Sequence, residues 1–381
     1  MDLELNQAQR QARDTARRFA RDRLAAVAIE TDRTHRYPAE IVAELGELGM
    51  MGVFVPERWG GAGFDNVSYA LVVEELSVAC AATGTIVSAH SSLATWPILG
   101  LGTDTQRDRF VAKMASGKSI GCFCLTEPQA GSDAAAQKTR AVRDGDSYVL
   151  NGTKNFITNG PQASVAITFA VTDPSKGHRG LSAFIVDTSS PGWQVTRTED
   201  KMGIHGAHSA QISLSDLRVP RANLLCEEGD GFKVAMKTLD GGRIGIAAQG
   251  VGIGRAALED SLKYAGERTA FGGPIARHQA IQFKLADMAV DIDAARLLTL
   301  RAAALKDAGM PCTRESAMAK LFAAESAMRA ATQAIQVHGG YGYTKEFKVE
   351  RYFRDAKITE IYEGTSEVQR IVIANYLVGN R

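Results

Sequence analysis

The sequence predicts a multi-domain α+β protein: an N-terminal helical domain, a middle antiparallel β-barrel or sandwich domain, and a C-terminal four-helix bundle. Three observations predict this order. Apolar residues recur at helical spacing in the first third of the 381 residues, short strand-like runs fill the middle, and long helical periodicity then returns. Because these elements come in blocks, an alternating βαβ sheet is not expected. We place the domains at residues 1–118, 119–226 and 227–381.

The N-terminal block has helical periodicity over residues 39–48 and 69–82, with a Pro- and Gly-containing turn at 56–61 between them. Six arginines lie between positions 10 and 23, but aspartates are interspersed with them. Transit peptides are poor in acidic residues, so this segment predicts a surface helix with salt bridges.

The middle block is rich in Val, Ile, Thr and Phe, and turn residues separate its short runs. Asn151-Gly152 lies between two such runs and predicts a two-residue β-hairpin, because both residues tolerate positive φ. Many short strands in one block indicate a barrel or a sandwich. The predicted strands are residues 148–150, 153–157, 164–171, 181–186, 193–196 and 210–214.

The C-terminal block contains three long apolar stripes and one shorter helix, which together predict a bundle. The stripes cover residues 244–265, 281–295 and 317–335, and Gly339-Gly340 ends the third as a C-cap. Ser366 and Gln369 have capping-box spacing and predict the start of the fourth helix. The glycines at 250–254 lack the spacing of a dinucleotide loop and follow no strand, so they predict close helix packing instead.

Composition excludes several classes. Residues are 45% hydrophobic and 23% charged, which is globular, and 44 basic against 43 acidic residues argue against a general nucleic-acid binder. No apolar run reaches the length of a membrane span. Five scattered cysteines favour reduced thiols, and with no leader evident we expect a cytoplasmic location. Cys122 and Cys124 predict a buried pair on one strand face, and no metal site is expected.

Glu363 stands out as a candidate base. It follows an apolar stretch with an aromatic, precedes Gly364, and lies just ahead of a helix start. Desolvation can raise the pKa of such a carboxyl toward neutrality, where a general base works best, and the helix start offers N–H groups to an oxyanion. The alternative is a surface acid favoured by the helix dipole.

A second candidate is the segment 122–133, where a strand runs into a turn with Pro, Gly, Ser and Asp. Such a turn can present N–H and hydroxyl donors to a ligand. A plain β-turn with Asx capping is the alternative.

Taken together, these segments resemble the acyl-CoA dehydrogenase family. FCLTEPQAGSD at 123–133 is similar to its first signature, and the stretch from Gln336 to IYEGTSE at 361–367 is similar to its second. The resemblance covers nearly the whole chain in order. Further matching segments are residues 56–61, 151–158, 201–204, 239–243 and 268–272.

The resemblance implies a short-chain (butyryl-CoA) dehydrogenase, an oxidoreductase and flavoprotein of fatty acid β-oxidation. It implies the same three-domain fold, one FAD per subunit, a homotetramer, and electron-transfer flavoprotein as acceptor. Glu363 would remove the α-proton of the acyl-CoA while a hydride passes to flavin N5, giving trans-2-enoyl-CoA. The thioester oxygen would be held by the Glu363 N–H and a flavin ribityl hydroxyl.

The resemblance also implies the binding residues. Residues expected to contact the flavin ring and its neighbourhood are Phe123, Leu125, Thr126, Gly131, Ser132, Phe156, Thr158, Thr365 and Glu367. Residues expected to contact the pyrophosphate and adenosine across a subunit boundary are Arg268, Phe271, Gln279, Gln336, Gly339 and Gly340. Residues expected to contact the substrate are Ser132, Asp240, Arg243, Tyr362 and Gly364.

Two departures from the family pattern matter. Phe156 replaces a frequent Trp and keeps an aromatic wall. In some branches the base immediately precedes the Arg of segment 239–243, but here that position is Gly242, so Glu363 remains the candidate.

Three alternatives stay open. The substrate could be a 2-methyl-branched short acyl-CoA. The same fold could serve an oxidase or a flavin monooxygenase. Finally, the chain could be a non-catalytic helical scaffold without FAD.

Overall fold

The computed structural model describes residues 4–379, with helices toward both ends of the chain and one large sheet between them. The predicted fold class is confirmed. Within the described residues, no helix combines the length and apolarity that a membrane crossing needs.

Seven α-helices form the N-terminal part of the chain as far as it is described, from residue 4 onward. The first begins at a capping box in which Asn6 and Gln9 bond reciprocally, and its arginines form the predicted salt bridges, among them Arg17 with Glu75 at 2.7 Å. Two π-helical segments, Ala20–Leu24 and Ala89–Thr95, interrupt the helices. The helices are α1 Gln7–Phe19, α2 Ala25–Thr34, α3 Ala39–Glu47, α4 Asn66–Ala79, α5 Ala81–Ser88, α6 Trp96–Leu101 and α7 Asp104–Ala115.

The middle part is one eight-stranded sheet in the order β6-β7-β3-β2-β4-β5-β8, with β1 paired to β4. Most neighbours are antiparallel, but β1 and β2 both run parallel to β4. Parallel pairing needs a long connection, and residues 125–164 supply it between β1 and β4. The strands are β1 Gly121–Cys124, β2 Arg140–Asp144, β3 Ser147–Thr158, β4 Val165–Val171, β5 Leu181–Asp187, β6 Trp193–Thr198, β7 Ser209–Pro220 and β8 Leu224–Leu225.

The hairpin predicted at Asn151-Gly152 is wrong. These residues lie inside the continuous strand β3, where the register against β7 shifts between Leu150 and Gly152. A side chain on Gly152 would overlap Thr139, so the glycine serves a close approach of backbone rather than a turn. The hairpin that does form joins β2 to β3 through Gly145, whose φ is 61°.

The C-terminal part contains the predicted long helices and one that was not predicted, α11. Gly339 caps α10 with a φ of 60°, as predicted. The last helix begins at Ser366, in agreement with the predicted start near Thr365-Ser366, but the N-cap is Thr365 and not Ser366, because the Thr365 side chain accepts the capping bond from the Val368 N–H. The elements are α8 Gly231–Glu267, β9 Thr269–Ala270, β10 Gly273–Pro274, α9 Gln279–Asp307, α10 Thr313–His338, α11 Val349–Thr359 and α12 Ser366–Leu377.

Small residues bring helices close together. A Cβ on Gly252 would overlap the backbone oxygen of Glu74 in α4, and one on Gly250 would press on the backbone of Ala323 in α10. This confirms the packing interpretation of the 250–254 glycines.

On the sheet, Cys122 and Cys124 are fully buried with their Sγ atoms 3.7 Å apart, and both are free thiols, as predicted.

Candidate active site

A cavity of about 640 Å³ lies where the sheet meets the C-terminal helices. Residues from distant parts of the sequence line it together. Of the predicted site residues, those that line it are Phe123, Leu125, Thr126, Gly131, Ser132, Phe156, Thr158, Arg243, Tyr362, Glu363, Gly364 and Thr365.

Glu363 lies in the connection between α11 and α12, with a φ of 52°. A left-handed conformation is uncommon for a residue other than glycine, and such strain is often found at functional sites. Its Oε2 is buried and has no hydrogen-bond partner among the described residues. The carboxyl therefore lines the cavity with an acceptor that is free for a ligand.

The environment of Glu363 favours the protonated form. Burial raises the pKa of its carboxyl to about 8, and the positive charges of Lys320 and Arg243 oppose that rise. The main-chain N–H of Glu363 forms no hydrogen bond within residues 4–379. Glu363 therefore has both a carboxylate oxygen and a main-chain N–H without a hydrogen-bond partner among the described residues.

Arg243 on α8 lines the cavity together with the base. Its Nη1 donates to Asp240 Oδ1 at 2.9 Å, and its buried Nε has no partner among the described residues. Asp240 also accepts from Thr313 Oγ1 at 2.7 Å and does not itself line the cavity. The structure thus brings Asp240 to the site only through Arg243.

The first wall is β1 and the turn after it, held in place by His90. The His90 Nδ1 accepts from the Gly121 N–H at 3.0 Å, and Nε2 lies 3.0 Å from the Met114 carbonyl. Burial lowers the pKa of His90 to about 4, so the ring is neutral and Nε2 donates. The start of β1 is thereby tied to the Ala89–Thr95 segment.

A buried ion pair connects the first wall to the second. Lys154 Nζ in β3 lies 2.9 Å from Glu127 Oε1 in the turn, and both side chains are buried. Burial alone would raise the pKa of Glu127, but Lys154 and the N–H donors of Thr139 and Lys138 bring it down to about 2. Glu127 is therefore ionised, and its bond to Lys154 joins the turn to β3.

The second wall is the end of β3, where the predicted residues Phe156 and Thr158 lie. Phe156 has a φ of 57°, and the register against β7 shifts between Lys154 and Ile157. This bulge leaves the Phe156 ring 61% exposed. An exposed aromatic face beside a cavity suits a flat ligand.

The third wall comes from the loop between β6 and β7, which contributes Lys201 and Ile204, and from Ser209 at the start of β7. The matching segment 201–204 was noted in the sequence, but its residues were not predicted as site residues. A Cβ on Gly203 would overlap the backbone of Arg354, so this glycine lets the loop pack against α11. Periodicity gives no signal for such an approach.

The sequence also does not predict the residues on the helical side of the cavity. Thr85 of α5 and Ala89 and Leu93 of the π-helical segment line it. Helical periodicity in the sequence does not reveal a π-helical segment, although such segments are frequent at functional sites. Further lining residues that were not predicted are Phe232, Met236, Leu239, Ile246, Ile358, Ile361, Val368 and Val372.

The other predicted cofactor residues lie outside this cavity. They are exposed on the surface around the β9–β10 hairpin and the end of α10, where Arg268 lies 5.4 Å from the Tyr341 ring centroid. Phe271 at the hairpin tip is 98% exposed. The single chain therefore does not bring these residues to the cavity. They are Arg268, Phe271, Gln279, Gln336, Gly339, Gly340 and, on α12, Glu367.

No cluster of three or more His, Cys, Asp or Glu side chains suited to a metal ion occurs in residues 4–379. The donor set of the cavity does fit a flavin. Hydroxyls of Thr126, Ser132 and Thr158 can bond the polar edge of a ring system whose faces lie against apolar and aromatic side chains.

Family models match three successive parts of the chain. They are described as the acyl-CoA dehydrogenase N-terminal domain at residues 6–118, middle domain at 122–217 and C-terminal domain at 229–378.

Individual relatives agree with these matches. The mitochondrial short-chain specific acyl-CoA dehydrogenase of Bos taurus is 51% identical over 99% of this chain and 91% of its own length. Butyryl-CoA dehydrogenase from Megasphaera elsdenii superimposes with a TM-score of 0.98, at 46% identity over 99% of this chain and 100% of that one. A chain from the structural work on the electron transferring flavoprotein of Acidaminococcus fermentans gives a TM-score of 0.98 and 48% identity over the same shares.

Proposed function

The chain belongs to the acyl-CoA dehydrogenase family, and from this membership we propose that it converts a short-chain acyl-CoA to the trans-2-enoyl-CoA with Glu363 as the base. One observation carries the assignment of the base: the unpartnered Glu363 carboxylate oxygen in the cavity. The family is one of FAD enzymes.

FAD, when bound, supplies the acceptor for the hydride that leaves C3 of the acyl chain. The residues proposed to hold its ring are Phe123, Leu125, Thr126, Gly131, Ser132, Phe156, Thr158 and Thr365, with Glu367 nearby at the start of α12.

The protein's own residues handle the proton. The C–H bond at C2 breaks, and the proton goes to the Glu363 carboxylate, whose raised pKa makes it a stronger base than an exposed glutamate. The Glu363 N–H, which has no internal partner in the described chain, donates to the thioester oxygen as negative charge develops there. Ser132, Arg243, Tyr362 and Gly364 line the cavity and are proposed to contact the substrate.

The short-chain preference is supported by a polar bridge at the cavity. Tyr362 and Thr85 both line it, and fully buried Gln249 links them: the Tyr362 hydroxyl donates to Gln249 Oε1, and Gln249 Nε2 donates to Thr85 Oγ1 at 2.7 Å. We propose that this bridge limits the length of the acyl chain. The short-chain relatives support the same substrate class.

Anaerobic bleaching of the flavin tests this function. We expect butyryl-CoA to bleach the purified holoenzyme faster than isobutyryl-, 2-methylbutyryl- or octanoyl-CoA, and Glu363→Gln to bind FAD and substrate but lose activity by at least about 100-fold. Faster bleaching by 2-methylbutyryl-CoA would assign a branched substrate, and rapid reoxidation in air would indicate an oxidase. No bleaching by any thioester contradicts the proposal.

We further propose that electron-transfer flavoprotein accepts the electrons, since a chain with a TM-score of 0.98 comes from work on such a protein. Reduction of added electron-transfer flavoprotein by the bleached enzyme tests this.

A homotetramer is proposed because apolar side chains remain exposed. On α9, Phe283, Val290 and Leu297 follow one another at intervals of seven residues and are 59%, 68% and 44% exposed. Seven residues return to nearly the same helix face, so the three form one apolar stripe that a second copy would cover. Light scattering measures the assembly.

We also propose that Asp240 contacts the CoA chain. The residues around Arg268 and Phe271 are proposed to contact the FAD of a neighbouring subunit.

The location and the domain boundaries also remain proposals. Five free thiols support a reducing compartment, for which we propose the cytoplasm. The boundaries at 118 and 226 fall between the matched family models and await limited proteolysis.

A further inference from the structure

Lys320 on α10 is a buried cation without an acidic hydrogen-bond partner. Its side chain is fully buried, and its Nζ donates to the Gly364 carbonyl at 2.7 Å. Within the described chain no carboxylate lies within salt-bridge distance of it. A lysine is seldom buried in this way, because desolvating the ammonium costs free energy. Its place therefore calls for a functional explanation.

The carbonyl that Lys320 binds belongs to the residue directly after the base. Glu363 and Gly364 are consecutive left-handed residues, with φ values of 52° and 90°. Fully buried Gln369 also holds this turn, donating through Nε2 to the Glu363 carbonyl at 3.1 Å and the Gly364 carbonyl at 2.9 Å. Two buried side chains thus fix a turn that the backbone alone disfavours.

Lys320 also acts on the charge of the base. The ionisable groups that face Glu363 are Lys320 from α10, Arg243 from α8, Tyr69 from α4 and the adjacent Tyr362. Arg243 is already paired with Asp240. Lys320 has no such pairing, and its ammonium opposes the effect of burial on the Glu363 carboxyl.

The groups that face Lys320 act in turn on the charge of its ammonium. Glu363, Glu360 and Glu367 favour its charged form, whereas burial and Arg243 disfavour it, and the pKa of Lys320 falls to about 8. At neutral pH most of its population therefore keeps the proton.

We propose that Lys320 is a positioning residue for α-proton abstraction: it fixes the Glu363–Gly364 turn through the Gly364 carbonyl and supplies the positive charge that favours the ionised base. The inference rests on the proposed role of Glu363. In the step itself the proton moves from C2 to the Glu363 carboxylate, and Lys320 keeps its own protons throughout.

Two substitutions separate the two effects. Lys320→Met removes both the donor and the charge, whereas Lys320→Gln keeps an N–H donor and removes only the charge. In both variants we expect the acid limb of the bleaching rate with butyryl-CoA to shift to higher pH by about one unit. At a pH well below the limb, the bleaching rate should therefore fall about tenfold. Lys320→Met should also be slower at high pH, where Lys320→Gln recovers. Lys320→Arg, which retains a charge, should keep the wild-type limb.

A second measurement reads the carboxyl directly. Infrared difference spectra of the holoenzyme against pH, with Glu363→Gln to identify the band, should show the Glu363 C=O band titrating at higher pH in Lys320→Met and Lys320→Gln. A wild-type titration and a wild-type acid limb in both variants overturn the proposal. If wild-type enzyme fails to bleach with any thioester, the proposed function is wrong, while the infrared titration still reports whether Lys320 controls the carboxyl.

Discussion

The Glu363 carboxylate occupies the space that any side chain on Gly242 would need. A Cβ on Gly242 would overlap Glu363 Oε2. By the resemblance, the position of Gly242 is the one that carries the base in other branches of the family. The two positions therefore cannot both hold a side chain in this geometry. This explains in physical terms why a glycine accompanies the glutamate.

Gly242→Ala should displace the base without unfolding the protein. We expect kcat to fall by about 10- to 100-fold, because a shift of about 1 Å in a catalytic group costs that much, with FAD content unchanged. Gly241→Ala is the matched control, since its Cβ would meet only ordinary contacts, such as Lys306 Nζ at 3.4 Å. Equal activity in the two variants would contradict the crowding argument.

The rate should depend on the ionisation of Glu363. Because only the carboxylate accepts a proton and its pKa is raised to about 8, kcat/KM should increase with pH and reach half its maximum near pH 8. Initial rates with butyryl-CoA between pH 6 and 10 measure this limb. A rate that does not change with pH over this range, as expected for a glutamate with its ordinary pKa of 4.5, would show that the carboxyl is not desolvated as described.

Gln249→Ala should widen the substrate range. Removing the amide breaks the bridge between Tyr362 and Thr85, so longer acyl chains gain room. We expect the ratio of kcat/KM for octanoyl-CoA to that for butyryl-CoA to increase by about tenfold, equivalent to about 1.4 kcal/mol. Gln333→Ala, a partly buried amide outside the cavity, should leave the ratio unchanged.

Arg268→Ala should weaken retention of FAD. The exposed guanidinium lies beside Tyr341, and we propose that its planar fork bonds the pyrophosphate of FAD. Flavin content after gel filtration should decrease, while Arg143→Ala, an exposed arginine on β2, keeps the wild-type ratio of flavin to protein. Full flavin occupancy in Arg268→Ala would remove this residue from the cofactor site.

Lys154→Met should destabilise the fold near the cavity. It leaves the buried carboxylate of Glu127 without its counter-charge, and breaking such a pair costs about 3–5 kcal/mol. Denaturant unfolding at pH 7 measures the loss. The double variant Lys154→Met/Glu127→Gln should recover part of it. A single variant as stable as wild type would mean that the pair contributes nothing.

The sequence was sufficient for the elements with a strong periodic signal. The long stripes predict α8, α9 and α10, and the apolar runs predict β4 and β5. It failed at Asn151-Gly152, where local turn preference lost to pairing on both sides of β3. Propensity is a local quantity, and one of the two strands that pair with this segment, β7, lies far along the chain.

At the site, the sequence predicts Glu363 and residues of the first two walls, but not the residues of the third wall or of the helical side. Glu363 was chosen from its context, and the structure places it in the cavity. Ile204 and Leu93 were missed because they reach the cavity through tertiary approach, at Gly203 and in a π-helical segment. Asp240 pairs with Arg243 and does not itself line the cavity, so its contact with the substrate stays a prediction.

The left-handed backbone at Glu363 has a consequence for evolution and engineering. Glycine would adopt this conformation at no steric cost and would also remove a desolvated acid. We therefore expect Glu363→Gly to be more stable to heat than the wild type and catalytically inactive. Screens that reward heat resistance alone would discard the residue on which turnover depends. Efforts to strengthen this enzyme should therefore leave the turn alone and begin at the periphery.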